Sequence, residues 1–250
     1  MHPWTPFWLS AFLDLPADRF ADGVRFWQGA TGYGLSAPRG EMDEFATLVP
    51  PDGDDYLRVQ RLGSGPARIH LDVHVPDPRA AADRAVGLGA EELADRGYVT
   101  LRSPGGFVFC LVAHPGARRP APAVWPGGHH SMIYQVCLDI PSDHWDAESA
   151  FWGTLLDGGL EVLARRPEFT WVRPGSRWAL DVLLQRLDRA DGPVTAHLDL
   201  GTTDRVAETA RHVALGATAG VVEQFWTVLR DPSGTTYCVT GRDPATGRLG

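Results

Sequence analysis

Two His-x-Asp pairs, His70 with Asp72 and His197 with Asp199, are the residues of this chain best equipped for chemistry. Each sits in a short apolar run, Ile69-His70-Leu71-Asp72-Val73 and Ala196-His197-Leu198-Asp199-Leu200, that reads as a β-strand. Side chains two apart on a strand share a face, so each imidazole lies beside a carboxylate. That neighbour favours the charged imidazole, and such a pair can act as a general acid or base. The same geometry also lets His and Asp satisfy each other at a buried seam. His74 continues the stripe in the first run, whereas Gly201 ends it in the second.

The pairs belong to one pattern written twice. Residues 67–112 and 194–240 each carry His-x-Asp, a helix-like stretch ending in Leu-Gly-Ala, a second apolar run, a Pro-x-Gly turn and an aromatic-Cys pair. The registers are His70/His197, Leu88/Leu215, Pro104/Pro232, Gly106/Gly234 and Cys110/Cys238. Upstream, Asp14-Leu15-Pro16 answers Asp139-Ile140-Pro141, Phe26-Trp27 answers Phe151-Trp152, and Val59-Gln60-Arg61-Leu62 answers Leu184-Gln185-Arg186-Leu187. The chain is therefore a duplication with a unit of roughly 110–120 residues, too long a period for a solenoid.

Residues 113–130 hold four Pro and three Gly, which fix or break the backbone and predict a semi-extended linker. The expected division is a first domain over 1–115, a linker over 116–130 and a second domain over 131–250. With 44% hydrophobic and 22% charged residues the composition is that of a soluble globular protein. A net charge of −8 and a pI near 5.5 argue against nucleic acid and anionic membrane, which call for a basic footprint. Every positive side chain is Arg, with neither Lys nor Asn present, a bias that points to a GC-rich, actinobacterium-like source. Cys110, Cys137 and Cys238 are an odd number and make no disulfide framework. No basic N-terminal segment leads into an apolar core and no run approaches a membrane span, so the expected place is the cytoplasm. The expected partners are a small-molecule ligand, no nucleic acid and no membrane, in a monomer or homodimer.

The elements that must position the His-x-Asp pairs alternate in type. Leu9, Ala11, Leu13 and Leu15 alternate with Trp8, Ser10, Phe12 and Asp14, a period of two that predicts a strand over 7–15. Phe20, Val24 and Trp27 then fall on one helix stripe over 17–30, repeated by Trp145, Ser149, Trp152 and Leu156. Strands are predicted at 43–50 and 55–62 around the Pro50-Pro51-Asp52-Gly53 turn, then a strand at 68–75, a helix at 78–88 and strands near 97–103 and 106–112. Each copy thus comprises two β-α-β-β modules, with room for one more strand in each.

Repeated modules with Phe-Trp closing the first helix, His opening a later strand and an Asp-Pro-x-Gly turn before the last resemble the vicinal oxygen chelate superfamily. Its members include glyoxalase I, bleomycin-resistance proteins and extradiol dioxygenases. Phe151-Trp152, Leu183-Leu184-Gln185, His197-Leu198-Asp199-Leu200, Trp226-Thr227-Val228-Leu229-Arg230-Asp231-Pro232-Ser233-Gly234 and Tyr237-Cys238 are similar to its actinobacterial glyoxalase-like branch. The resemblance implies an α+β fold of two tandem domains, each a cupped mixed sheet made from paired βαβββ modules with the ligand in the cup.

It also implies where a metal would sit. The superfamily's ligand positions fall on Ser10, Gln60, His70 and Cys110 in the first copy and on Gln135, Gln185, His197 and Cys238 in the second. Neither set contains a carboxylate, and a neutral amide substitutes poorly for an anionic oxygen or imidazole. A thiol among apolar neighbours stays protonated, so Cys110 and Cys238 read as small buried hydrophobes. No cofactor is expected; a divalent metal is the lesser alternative, with His197, Gln135, Gln185 and Cys238 as weak candidates and His129 and His130 just upstream.

Among nine Trp, the rings of Trp4 and Trp8 near the start and Trp171, Trp178 and Trp226 in the second copy could line a cup for a flat molecule, while Trp27, Trp145 and Trp152 read as core. Arg165, Arg166, Arg173 and Arg177 form either a solvated face or a rim for an anion. Three functions stay open. The leading one is a metal-independent small-molecule-binding protein of bleomycin-resistance type that sequesters or acts on an aromatic or apolar metabolite. The second is an isomerase, lyase or cyclase using His197 and Asp199 as acid and base. The third is a metal-dependent glyoxalase or extradiol-type dioxygenase. The working cup is expected in the second copy, with Gln135, Gln185, Trp171, Trp178 and Trp226 binding ligand; His70, Asp72 and Gln60 are the first-copy counterparts, on what is mainly scaffold.

Overall fold

Strand β1 (Trp8–Pro16) is buried along both faces up to its last residue, as befits a strand with neighbours on each side. This computed structural model describes residues 2–174 and 178–248. The first copy continues through α1 (Phe20–Thr31), β2 (Gly34–Leu35), β3 (Phe45–Val49), β4 (Leu57–Leu62), β5 (Arg68–His74), α2 (Pro78–Gly87), β6 (Glu91–Asp95), β7 (Val99–Arg102) and β8 (Val108–Val112). A two-residue strand, β9 (Ala123–Val124), precedes the second copy. That copy contains β10 (His130–Pro141), a 3-10 turn (Ser142–His144), α3 (Trp145–Leu155), β11 (Gly158–Val162), β12 (Phe169–Pro174) and β13 (Asp181–Leu187). It closes with β14 (Thr195–Thr202), α4 (Arg205–Ala214), β15 (Thr218–Val222), β16 (Trp226–Arg230) and β17 (Thr236–Thr240).

The strands form two mixed sheets of the same topology. Their orders are β2-β3-β4-β1-β5-β8-β7-β6 and β11-β12-β13-β10-β14-β17-β16-β15, with β9 added beside β10. At equivalent places in the two orders, β5 pairs with β8 and β14 with β17 in parallel. This is the α+β tandem architecture that the family resemblance implied. The outer strands β2, β6, β11 and β15 lie almost entirely exposed and lack the apolar alternation by which strands are read.

Local chemistry repeats with the topology. Asp77 caps α2 by accepting from the Ala80 amide at 3.1 Å, ahead of Pro78 in the first turn. Asp204 caps α4 in the same way from the Ala207 amide at 3.0 Å. α1 ends on Gly32, whose φ of 75° is the left-handed conformation that glycine adopts without strain.

Two compact units emerge, each taking one module from each copy. The first comprises Met1–Ala11, His70–Ala117 and Val136–Ala196; the second comprises Phe12–Ile69, Arg118–Gln135 and His197–Gly250. In the first unit the buried Glu148 carboxylate accepts from Trp152 Nε1 at 2.7 Å and from the Gly105 amide at 2.5 Å. A Cβ at Gly105 would lie 2.6 Å from the Val194 side chain, so only glycine permits that approach. Phe107 and Phe109 meet the Trp152 ring edge-on. In the second unit Trp27 Nε1 donates to Asp231 Oδ2 at 2.7 Å, and Phe26, Trp27 and Tyr237 pack their rings together. Trp27 and Trp152 are core, as expected, and Trp145 is half-buried. No helix among the described residues is long and apolar enough to cross a membrane.

Candidate functional site

In the second unit, β14 runs parallel to β17 with Asp199 beside Cys238, while antiparallel β16 sets Val228 opposite Cys238 and Trp226 opposite Thr240. Paired residues share a face, so a thiol, a carboxylate, the imidazole of His197 and the half-buried Trp226 stand on one side of the sheet. The ligand atoms of His197, Asp199 and Cys238 all lie within 4.8 Å of one another. His197 Nε2 is 3.7 Å from Asp199 Oδ1. Gln135, only 2% exposed on β10, donates from Nε2 to Asp199 Oδ2, while its Oε1 is buried with no hydrogen-bond partner. Such an oxygen costs about 1–3 kcal/mol unless a donor or cation faces it.

The first unit builds the related cluster His70, Asp72 and Cys110, again with ligand atoms within 4.8 Å of one another. Here β5 is parallel to β8 with Asp72 beside Cys110, and β7 sets Thr100 opposite Cys110, Thr100 Oγ1 lying 3.5 Å from Sγ. Ser10, the counterpart of Gln135, turns elsewhere. Its Oγ is 2.5 Å from His74 Nε2, and His74 Nδ1 meets the His114 carbonyl at 2.6 Å, with both side chains fully buried. His74 is thereby committed to the core.

The remaining predicted residues are divided between the units. Gln60 is half-buried on β4 of the second unit, opposite Phe45. Gln185 is half-buried in the first unit, 3.9 Å from Cys137 Sγ. Trp171 and Trp178 are both buried in the first unit, and the Arg173 guanidinium stacks 4.3 Å over Trp171. Arg173 and Arg166 pair with Glu161 and Glu168, Arg165 is exposed, and Arg177 lies outside the described residues. Trp8 is buried on β1, but Trp4 precedes that strand.

The sequence profile of the glyoxalase-like domain matches residues 10–112 and again residues 135–240. The chain belongs to this glyoxalase-like family. No curated protein matches it in sequence. Solved structures do: a Mn(II)-bound glyoxalase from Novosphingobium aromaticivorans shares 16% identity and a TM-score of 0.62 over 98% of this chain and 87% of its own. The 2,2',3-trihydroxybiphenyl 1,2-dioxygenase of Sphingomonas wittichii shares 16% identity and a TM-score of 0.63 over 98% of this chain and 96% of its own. The 2,3-dioxygenase LapB of a Pseudomonas species shares 12% identity and a TM-score of 0.64 over 95% and 93% of the two chains. At these identities the likeness establishes the fold.

The expectation of no cofactor is overturned. This glyoxalase-like chain shares its fold with a Mn(II)-bound glyoxalase, and the objection drawn from the sequence, that neither ligand set holds a carboxylate, fails on the geometry. Asp72 and Asp199 stand two residues beyond the aligned His and reach the same cluster. Cys110 and Cys238, read as plain hydrophobes, are components of those clusters. The residues in the second unit fit a divalent ion: an imidazole, a carboxylate, a thiol and a buried amide oxygen without a partner.

Two features escaped the sequence. Arg58, two residues before Gln60 on β4, is 5% exposed; its guanidinium pairs with Asp55 at 3.1 Å and lies 5.7 Å from the Phe12 ring centroid. Its signal was the Arg-x-Gln alternation that places both side chains on one face. The other is a buried network on α4. Glu208, fully buried, accepts from Ser131 Oγ and Arg211 at 2.7 Å and meets His129 Nε2 at 2.8 Å and His212 Nε2 at 3.1 Å. Burial pushes the Glu208 carboxyl up, but hydrogen bonds from Arg211 and His212 outweigh it and hold the group well below the carboxylate range. His212 is pushed below its ordinary value by burial, against the pull of Glu208. His129 thus serves Glu208, and His130 is exposed. The spacing Glu208, Arg211, His212 on one helix face was the available signal.

Proposed function

We propose that the chain is a divalent-metal-dependent enzyme of the vicinal oxygen chelate type, acting on a small flat molecule with adjacent oxygens, catechols first. The observation that carries this is the convergence of His197, Asp199 and Cys238, with Gln135 bonded to Asp199 through Nε2 and its buried Oε1 left without a partner. These four would hold the ion. A bound divalent ion would polarise the substrate's oxygens and stabilise charge that develops on them. The chain's own residues supply the rest. Gln135 holds the Asp199 carboxylate in one orientation through its Nε2, while Val228 and Trp226 provide an apolar wall on the same face, where a ring stacks and water is displaced. The Mn(II)-bound glyoxalase and the two dioxygenases that share the fold support the same class.

Metal analysis of protein purified without chelator, with Asp199→Asn and His197→Ala beside the wild type, tests the reading, followed by oxygen uptake with a panel of catechols. One metal equivalent is expected to vanish in both variants together with turnover. Metal content unchanged in both variants would sink the assignment. Turnover by metal-free protein would instead move the chemistry to proton transfer by His197 and Asp199.

A further inference from the structure

We propose that the outer face of α4 and the edge strand β15 form a docking surface for a second copy of this chain. The inference stands apart from the activity proposed above.

The first argument is that α4 faces the wrong way for a helix that meets only water. It buries Glu208 and His212 completely, whereas Val206, Ala210 and Val213, spaced by four and three, stand exposed on one face, Val206 at 80%. A surface helix ordinarily turns its apolar stripe inward. Its counterpart α2 does so, burying Ala81, Ala82 and Ala85 while Arg79 and Asp83 point outward.

The neighbouring strand has changed in the same sense. In the first copy Arg79 meets Asp83 at 2.8 Å and reaches Glu92 and Asp95 of β6 at 2.7 and 3.1 Å, a charged cluster suited to water. The same registers in the second copy hold Val206, Ala210, Ala219 and Val222, so all four charges give way to apolar side chains. Arg205 Nη1 donates to the Glu223 carbonyl at 2.7 Å, which ties the start of α4 to the end of β15 and sets Val206 beside Val222, itself 68% exposed. A contiguous exposed apolar patch of this kind marks an interaction surface.

The edge and the charges identify the occupant. β15 ends its sheet, and its sequence Thr-Ala-Gly-Val-Val has none of the carboxylates with which β6 discourages strand addition. Two identical strands pair antiparallel about a two-fold axis, and that axis also brings α4 against its partner's α4. From Arg205 to Val222 the only carboxylate is Glu208, which Arg211 neutralises at 2.7 Å, so two chains of net charge −8 meet here without a layer of like charge. Glu223 follows the last residue of β15 and Arg230 pairs with its first, both exposed. Antiparallel pairing turns the carboxylate end of one copy toward the guanidinium end of the other, a self-complementarity that a uniformly acidic or basic partner lacks.

Sedimentation equilibrium of the full chain over a concentration series tests this. The wild type is expected to reach twice its 27.2 kDa at tens of micromolar. Grafting the first copy's residues, Val206→Arg, Ala210→Asp, Ala219→Glu and Val222→Asp, should weaken association at least 100-fold with circular dichroism unchanged. Val162→Asp, on the exposed strand β11, should leave the dimer intact. A wild type that stays monomeric, a grafted variant that still dimerises, or a dimer lost equally in Val162→Asp overturns the proposal; flotation of a monomeric wild type with phosphatidylcholine vesicles would give the patch to a membrane instead. Should the fourfold variant fail to fold, Val206→Arg alone decides, since that side chain stands in solvent: at least tenfold weaker association is expected, and none overturns the proposal.

Discussion

The clusters around Asp72 and Asp199 stand on equivalent strands at equivalent registers, yet their surroundings differ at three positions. Gln135, Val228 and Gly201 in the second copy correspond to Ser10, Thr100 and His74 in the first. In the second copy the carboxylate is gripped by an amide whose oxygen is left over, and an apolar residue faces the thiol. In the first copy the equivalent hydroxyl is spent on a core histidine, and a polar residue faces the thiol. Strand pairing places the donors alike in both copies. Their neighbours differ, and with them the polarity around the thiol and the carboxylate.

The largest expected effect separates the clusters directly. His197→Ala should lower turnover by about 100-fold or more, a loss of the size that follows removal of a group acting on the reacting atoms, and His70→Ala should lower it at least tenfold less. Initial rates with one substrate for both variants check this, and equal losses would erase the functional distinction between copies.

Next in size is the α4 network, which the first copy lacks. Glu208→Ala leaves Arg211, 18% exposed, without its carboxylate and should cost about 3 kcal/mol in urea unfolding. The pH dependence follows from the two depressed groups. Glu208 is held below its ordinary 4.5, so its contribution is complete above that pH and is lost as pH falls toward its folded value. His212 is held below its ordinary 6.5, so acidification erodes stability from that point downward as well. The urea midpoint should therefore fall below pH 6.5 through His212 and further below pH 4.5 through Glu208; in Glu208→Gln the fall below pH 4.5 should shrink, and an unchanged fall there would contradict the network's role.

Gln135→Leu should weaken metal binding at the second cluster by about 10–100-fold, the range for partners that orient a ligand. Ser10→Ala should leave the metal affinity of that cluster unchanged. Competition against a fluorescent chelator measures both. The smallest effect concerns the residue facing the thiol of the second cluster: Val228→Thr should shift its metal affinity a few-fold, since one hydrogen bond is worth about 1 kcal/mol. No shift would confine the difference between the copies to Gln135 and Ser10.

Much of this was legible before folding. The repeat, the helix stripes and strands such as Leu57–Leu62 and Arg68–His74 follow from periodicity, because one face of each meets a core. The outer strands Glu91–Asp95 and Thr218–Val222 were not legible, because a fully exposed strand has no buried face to impose a pattern. At the site, the sequence held both halves of the answer: His and Asp on one face, and Cys at an aligned ligand position. It could not show that parallel pairing of β5 with β8, and of β14 with β17, joins those halves, since strand pairing is a long-range fact. Glu208 was hidden for a related reason, its partners Ser131 and His129 lying some eighty residues upstream.

The division of the chain into units that each borrow a module from both copies bears on how such a protein can change. A break between the copies, in the Pro/Gly-rich stretch, would sever both units at once, because residues 70–117 share a unit with 136–196 and residues 12–69 share one with 197–250. Two fragments cut there would have to fold as a pair, each completing the other, and neither could be recombined into a new protein alone. Genetic fission of this chain would produce an obligate heterodimer.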